Sequence, residues 1–403
     1  MSDPESAAPT VSDGVDLDSS KAGPRPSLTN AVRVIQHDPM TAPDRLWFDL
    51  FLDRVMCRRS TGAAREWRDE DDYQMTIYLQ DHYGLSTMQD GTVHKAVQYV
   101  ARQREKHVVR DWLQSLTWDG EPRLSMAFED HWGVACGEDL PCDYVRAASK
   151  NFFIGLIARV FKPGCQLDTM VVFEGAQGIR KTSALRLLGG EWYGQANESV
   201  QQKDFLASLA GKWIVEIGEL DAFSRAEVTR VKTVISTPVD RYRPSYGRVA
   251  ADYPRQCVFV GTTNKDDWGN DETGLRRFWP MRCGIINLET LTSSRDQLFA
   301  EAVLRYDEGV HWWEMPGAST VGVQATRQGD HVWEALILSD LSDAYECTTL
   351  DLLTRVLKFV PREIKRIDEL TVGSILRRAG WVKKPARRNG RLAKVWFAPE
   401  EGT

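Results

Sequence analysis

The chain has 403 residues, and that length together with a 42% hydrophobic content implies more than one folding unit with a substantial buried core. Its formal net charge of −6 excludes a uniformly basic nucleic-acid binder, so any such contact must come from local patches. No apolar run approaches bilayer length and the N-terminal MSDPESAAPTVSDG lacks signal-peptide character, so a cytoplasmic protein with no membrane partner is expected, while seven singly scattered cysteines argue against a disulfide framework.

Residues 1–30 are rich in Ser, Pro, Ala and Asp and are expected to form a disordered tail. From 31 to 165 a mainly helical N-terminal domain is expected, because DEDDYQMTIYLQDHYG, TVHKAVQYVARQRE and DYVRAASKNFFIGLIARVF space their apolar residues three and four apart. WFDLFLDRVMCRR is ambiguous between strand and helix, and Trp118-Asp119-Gly120 marks a turn. His131, Cys136 and Cys142 come nearest to a metal cluster, but their spacing fits no zinc pattern.

Residues 166–315 alternate short apolar runs with helical patterns, which predicts a parallel sheet covered on both faces. The segment MVVFEGAQGIRKTSALR places a strand, a glycine-bearing turn and a helix in succession. Missing side chains at Gly175 and Gly178 let backbone amides converge on phosphate oxygens, so Gly175, Gln177, Gly178, Arg180, Lys181, Thr182 and Ser183 are the candidate ATP contacts. Lys181 would reach the β- and γ-phosphates and Thr182 would ligate Mg2+. The pattern departs from G-x-x-x-x-G-K-S/T at Arg180, where glycine is expected.

KWIVEIGELD then supplies a strand ending in carboxylates, with Glu219 at its carboxyl end favoured as catalytic acid and metal contact over Glu216 and Asp221. Ser224 to Glu227 reads as a capping box opening a helix with Val228, Val231 and Ile235 on its buried stripe. Arg241, Arg243, Tyr246 and Arg248 interleave cations with aromatics in a turn-rich stretch suited to a DNA strand. QCVFVGTTN ends in Asn264, a candidate γ-phosphate or water contact, and Arg276-Arg277 offers an arginine finger across a subunit boundary, with the choice between the two open.

A linker over 316–330 leads to a small unit over 331–403. Its DELTVGSILRRAG helix places Val372, Ile375, Leu376 and Ala379 inward and stops at Gly380. A hairpin is expected across Asn389-Gly390, and helix plus hairpin suggest a winged helix-turn-helix. Its DNA contacts would be Arg377, Arg378, Lys383, Lys384, Arg387, Arg388, Arg391 and Lys394, a run free of acidic residues.

The order EGAQGIRKTSALR, GKWIVEIGELDAF, DRYRPSYGR, PRQCVFVGTTN and DETGLRRFWP resembles the virulence-associated E family, and with YLQDHYGLS and VRDWLQSLTWDGEPRL the resemblance covers well over half the chain. It implies a superfamily 3-like AAA+ ATPase: an α/β P-loop NTPase core between a helical N-terminal domain and a winged-helix domain. It also implies a homo-oligomeric ring, a hexamer, around single-stranded or forked DNA, with ATP and Mg2+ as cofactors. Lys181 and Thr182 then bind nucleotide and metal, Glu219 is the acid, Asn264 the sensor, Arg276 or Arg277 the finger, and Arg241, Arg243 and Arg248 the channel hairpin. No primase pattern is visible in 31–165, so priming falls to a separate protein. Two further expectations stand beside an ATP-dependent helicase: a nucleotide-binding, non-hydrolysing origin-binding protein, and a helicase loader.

Overall fold

The computed structural model describes residues 14–399 except 22, 60–61, 138, 197–204, 220–224, 244–249, 265–274, 326–332, 343, 366–367, 370–371, 374, 377–378 and 389–390. A two-residue antiparallel pair, β1 (Ser19–Ser20) and β2 (Gly23–Pro24), precedes α1 (Leu28–His37). The Ser27 side chain caps α1 by accepting from the Asn30 amide. Residues 14–30 therefore depart from the disordered tail expected there. Val15 is buried in the adjoining apolar cluster, and the buried Asn30 carboxamide bonds the Asp18 and Arg25 carbonyls, so one polar anchor holds the segment.

Next come β3 (Leu46–Asp49), β4 (Arg54–Cys57), β5 (Arg65–Glu66), α2 (Asp69–Tyr83), α3 (Asp90–Arg102) and β6 (Glu105–Lys106). The strands form a sheet in the order β5-β4-β3-β6, in which only the β3–β6 pair is parallel. The ambiguous WFDLFLDRVMCRR stretch thus becomes a strand hairpin and brings a sheet into the region expected to be mainly helical. Every residue of β3 is buried, so the strand carries no alternation to betray it. Its turn is fixed by Asp49, whose Oδ1 accepts from the amides of Phe51 and Leu52.

Helices α4 (Val108–Ser115), α5 (Ala127–Trp132) and α6 (Cys142–Phe161) follow. They share one apolar cluster with the parallel sheet rather than with α1–α3, so packing divides near residue 107 and not at 165. Helix α6 is apolar nearly all round, with Phe153, Ile154, Leu156 and Ile157 fully buried, as befits a helix enclosed by the core.

The sheet is built from β7 (Met170–Glu174), β8 (Tyr193–Gln195), β9 (Ile214–Ile217), β12 (Val258–Thr263) and β13 (Phe278–Arg282). All pairs are parallel in the order β13-β7-β12-β9-β8, as the alternation of strands and helices predicts. Interleaved are α7 (Lys181–Gly189), α8 (Phe205–Ser208), α9 (Arg225–Ser236) and the antiparallel ribbon β10 (Val239–Tyr242) with β11 (Ala251–Pro254), and α10 (Leu288–Asp307) and α11 (Gly317–Ala325) follow β13. One face of the sheet, with Val171, Phe173, Ile214 and Val260, packs on α6, α7 and α10; the other, with Val172, Val215 and Ile217, packs on Val231 and Ile235 of α9. The expected cap at Ser224 lies outside the described residues, as does the side chain of Val228.

Beyond α12 (Glu334–Asp340), a sheet in the order β14-β16-β15 is formed by β14 (Glu346–Cys347), β15 (Val382–Arg388) and β16 (Arg391–Phe397). Arg388 pairs with Arg391, the register a two-residue turn imposes. Val372, Ile375 and Leu376 pack with Trp381 and Trp396, and Gly380 takes a φ of +80°. Among the described residues no helix is long and apolar enough to cross a membrane.

Candidate nucleotide site

The carboxyl ends of β7, β12 and β9 lie side by side, with Thr263 opposite Glu174 and Val260 opposite Glu216. In open α/β sheets ligands collect at this end. The chain leaves β7 through Gly175, at φ +142°, where an added Cβ would stand 2.6 Å from the Ile179 Cδ1 and 3.2 Å from the Cys283 carbonyl. Only glycine fits that passage, and Gly178 at φ +88° completes the turn. Arg180 precedes α7 at φ +76°, a left-handed conformation suited to glycine, and its side chain is exposed. Gln177 and Ser183 are exposed as well.

Lys181 turns inward from the first position of α7 and is 8% exposed. Its Nζ donates to the Gly175 carbonyl at 2.5 Å, the Ala176 carbonyl at 3.1 Å and the Asn264 Oδ1 at 3.3 Å. The fold therefore joins two candidate residues that lie 83 positions apart in the chain.

The acid that meets Thr182 is Glu216. Its Oε1 accepts from the Thr182 hydroxyl at 2.8 Å and from the Thr262 hydroxyl at 2.7 Å, and its Oε2 accepts from the Tyr193 hydroxyl at 2.5 Å. A carboxylate 2% exposed is tolerable because hydroxyl donors converge on it. Glu219, favoured on sequence grounds, is exposed beyond the end of β9 with φ +54°. Strand periodicity explains the difference: Glu216 shares the Ile214 face, which packs on α7, whereas Glu219 follows the strand and points nowhere that the strand fixes. Asp221 lies outside the described residues. Tyr193, absent from the sequence reading, enters the site because β8 is the strand beside β9.

Arg276 is exposed in a short 3-10 turn over Leu275–Arg277. Half-buried Arg277 instead donates through Nε to the Ser236 hydroxyl at 2.9 Å, at the end of α9 of its own chain. Arg241 and Arg243 are exposed on and beside the β10–β11 ribbon, and Arg241 is bonded to its cross-strand partner Asp252 at 2.8 Å. Tyr246 and Arg248 lie outside the described residues, as do Arg377 and Arg378. Lys383, Lys384 and Lys394 are exposed on the β15–β16 hairpin, and Arg387, Arg388 and Arg391 are residues of its strands.

Among the described residues no group of three or more His, Cys, Asp or Glu side chains could hold a metal. His131 is buried with its Nδ1 2.9 Å from the Thr290 hydroxyl, and the Cys136 thiol donates to Glu129. One carboxylate and one hydroxyl, Glu216 and Thr182, are nonetheless the sparse oxygen set that suits Mg2+, which keeps much of its water and takes further ligands from phosphates. Burial raises the Cys283 thiol well above its usual range, so the sulfur beside the turn stays protonated.

A parallel five-stranded sheet flanked by helices, with a glycine turn and Lys-Thr at the carboxyl end of a central strand, defines an α/β NTPase-like core. Residues 113–331 match the virulence-associated protein E-like domain, and the chain belongs to that family. Among solved structures, an apo structure of the NrS-1 C-terminal region (305–718) matches 88% of this chain and 95% of that chain at 13% identity, with a TM-score of 0.44. An A-form apo structure of the same region gives 88% and 96% coverage, 13% identity and a TM-score of 0.43. A search of curated proteins finds no match.

Proposed function

We propose that the chain is an ATP-dependent DNA helicase or translocase acting in the replication of a phage, prophage or other mobile element. The observation that carries this reading is the meeting of Thr182 with Glu216, and of Lys181 with Asn264, at the carboxyl ends of adjacent parallel strands. Membership of the virulence-associated E-like family supports it. In this reading the core is of the superfamily 3-like AAA+ type, and a cytoplasmic homo-oligomeric ring, a hexamer, surrounds DNA.

When bound, ATP supplies the phosphoanhydride and Mg2+ the charge that neutralises its oxygens. The amides of the 175–180 turn and the Lys181 ammonium bind phosphate oxygens. Thr182 and Glu216 would hold the metal, Glu219 and Asn264 would orient the attacking water, and Arg276, the exposed member of its pair, would serve a neighbouring protomer. Arg241, Arg243 and Arg248 contact the enclosed strand. The unit over 331–403 acts as a winged helix on duplex DNA, and a separate primase starts synthesis.

The left-handed Arg180 favours a second reading, in which nucleotide is held without turnover and the chain acts by binding an origin. Hydrolysis measured with and without single-stranded DNA, followed by strand displacement on a forked duplex, tests the proposal. DNA-stimulated hydrolysis with displacement is expected. Nucleotide binding without hydrolysis would favour the origin-binding reading, and hydrolysis without displacement would favour a loader.

A further inference from the structure

We infer that Tyr193 is a positioning residue for Glu216, fixing the plane in which that carboxylate receives the hydrated Mg2+; the inference rests on the nucleotide-site reading above. Tyr193 opens β8, the edge strand, and pairs with Ile214. Glu216 lies two residues further along β9, hence on the same face and diagonally within reach of a long side chain. The hydroxyl donates to Oε2 at 2.5 Å, while Thr182 and Thr262 occupy Oε1.

This division of labour matters because the Thr182 hydroxyl is also the metal ligand in that reading. Were the Thr182 hydroxyl to hold Mg2+ instead, Oε1 would keep Thr262 and Oε2 would keep Tyr193, so each oxygen would retain one protein donor. Glu216 is 2% exposed, which leaves little room for water to replace a missing donor.

The phenol is itself held. The Arg186 guanidinium stands 5.5 Å from its ring centroid.

The test is Tyr193→Phe in the full chain, which removes one hydroxyl and keeps the ring. Binding of a fluorescent ATP analogue is titrated at a series of Mg2+ concentrations, alongside hydrolysis and the thermal midpoint. Expected is about a tenfold rise in the Mg2+ needed for half-saturation and a comparable fall in kcat, the size of one missing hydrogen bond to a charged group. Nucleotide affinity without Mg2+ should match the parent, while the thermal midpoint falls modestly because the buried Glu216 carboxylate loses a donor. An unchanged Mg2+ requirement overturns the inference, as does an equal loss of affinity with and without Mg2+, because that pattern belongs to packing. Glu216→Gln separates this from the underlying reading. If it too responds to Mg2+ like the parent, the nucleotide site itself is misassigned; if it loses the response while Tyr193→Phe keeps it, only the role of Tyr193 falls.

Discussion

The carboxyl end of the parallel sheet and the basic β15–β16 hairpin carry polar side chains in opposite ways. At the sheet, Lys181 and Glu216 are buried, and each is bonded to groups delivered by other elements of the fold. On the hairpin, Lys384 and Lys394 stand in solvent. Buried polar groups must be matched atom by atom, since an unsatisfied partner costs about 1–3 kcal/mol, so that region specifies geometry. Exposed cations act through charge, and salt screens them. The first region fixes side-chain positions, and the second presents unfixed charge.

The sharpest way to break this contrast is Glu216→Gln. Losing the charge that would hold Mg2+ should lower hydrolysis by a factor on the order of a hundred or more, about 3 kcal/mol of barrier, measured by phosphate release. Glu219→Gln should retain nucleotide and Mg2+ binding, because its exposed side chain follows the strand and does not touch Thr182. A Glu219 variant that lost Mg2+ binding while the Glu216 variant kept it would reverse the assignment made here.

A smaller effect is expected on the hairpin. Replacing Lys384 and Lys394 together by Ala should weaken duplex binding without regard to sequence and reduce the salt slope of log K by roughly 2, about 0.9 for each phosphate no longer neutralised. Fluorescence anisotropy across a salt series measures it. An unchanged slope would show that the exposed cations are idle.

The smallest change is expected from Arg180→Gly. Left-handed backbone costs a non-glycine residue about 1–2 kcal/mol, and glycine returns part of that through its freer unfolded chain, leaving a net stabilisation of roughly 0.5–1 kcal/mol. Chemical denaturation reads it directly. A destabilised variant would mean that the Arg180 side chain supports the turn.

How much of this was legible beforehand follows from which contacts are local. The β7 strand, its glycine turn and α7 are contiguous, and the sequence order alone places Lys181 and Thr182 at the mouth of the sheet. The β15–β16 hairpin is legible for the same reason, because Asn389-Gly390 dictates a two-residue connection. The contact of Glu216 with Thr182 is not legible because it depends on which face of β9 meets α7, within a sheet whose neighbouring strand β12 begins 41 residues beyond the end of β9 (258 − 217). Tyr193 was invisible, since nothing near it in the chain reveals that β8 lies beside β9. The Arg277 contact with Ser236 is likewise non-local and separates two adjacent arginines that look alike in sequence. The N-terminal sheet escaped because two-residue strands and a wholly buried β3 carry no period.

The most direct test of the nucleotide site is Mg2+-dependent ATP binding and hydrolysis by the purified chain beside its Lys181→Ala variant. The account predicts that the parent binds and hydrolyses ATP, and that the variant, deprived of the ammonium held among Gly175, Ala176 and Asn264, loses hydrolysis while keeping duplex binding through the C-terminal hairpin. A variant that hydrolyses ATP as the parent does would contradict it.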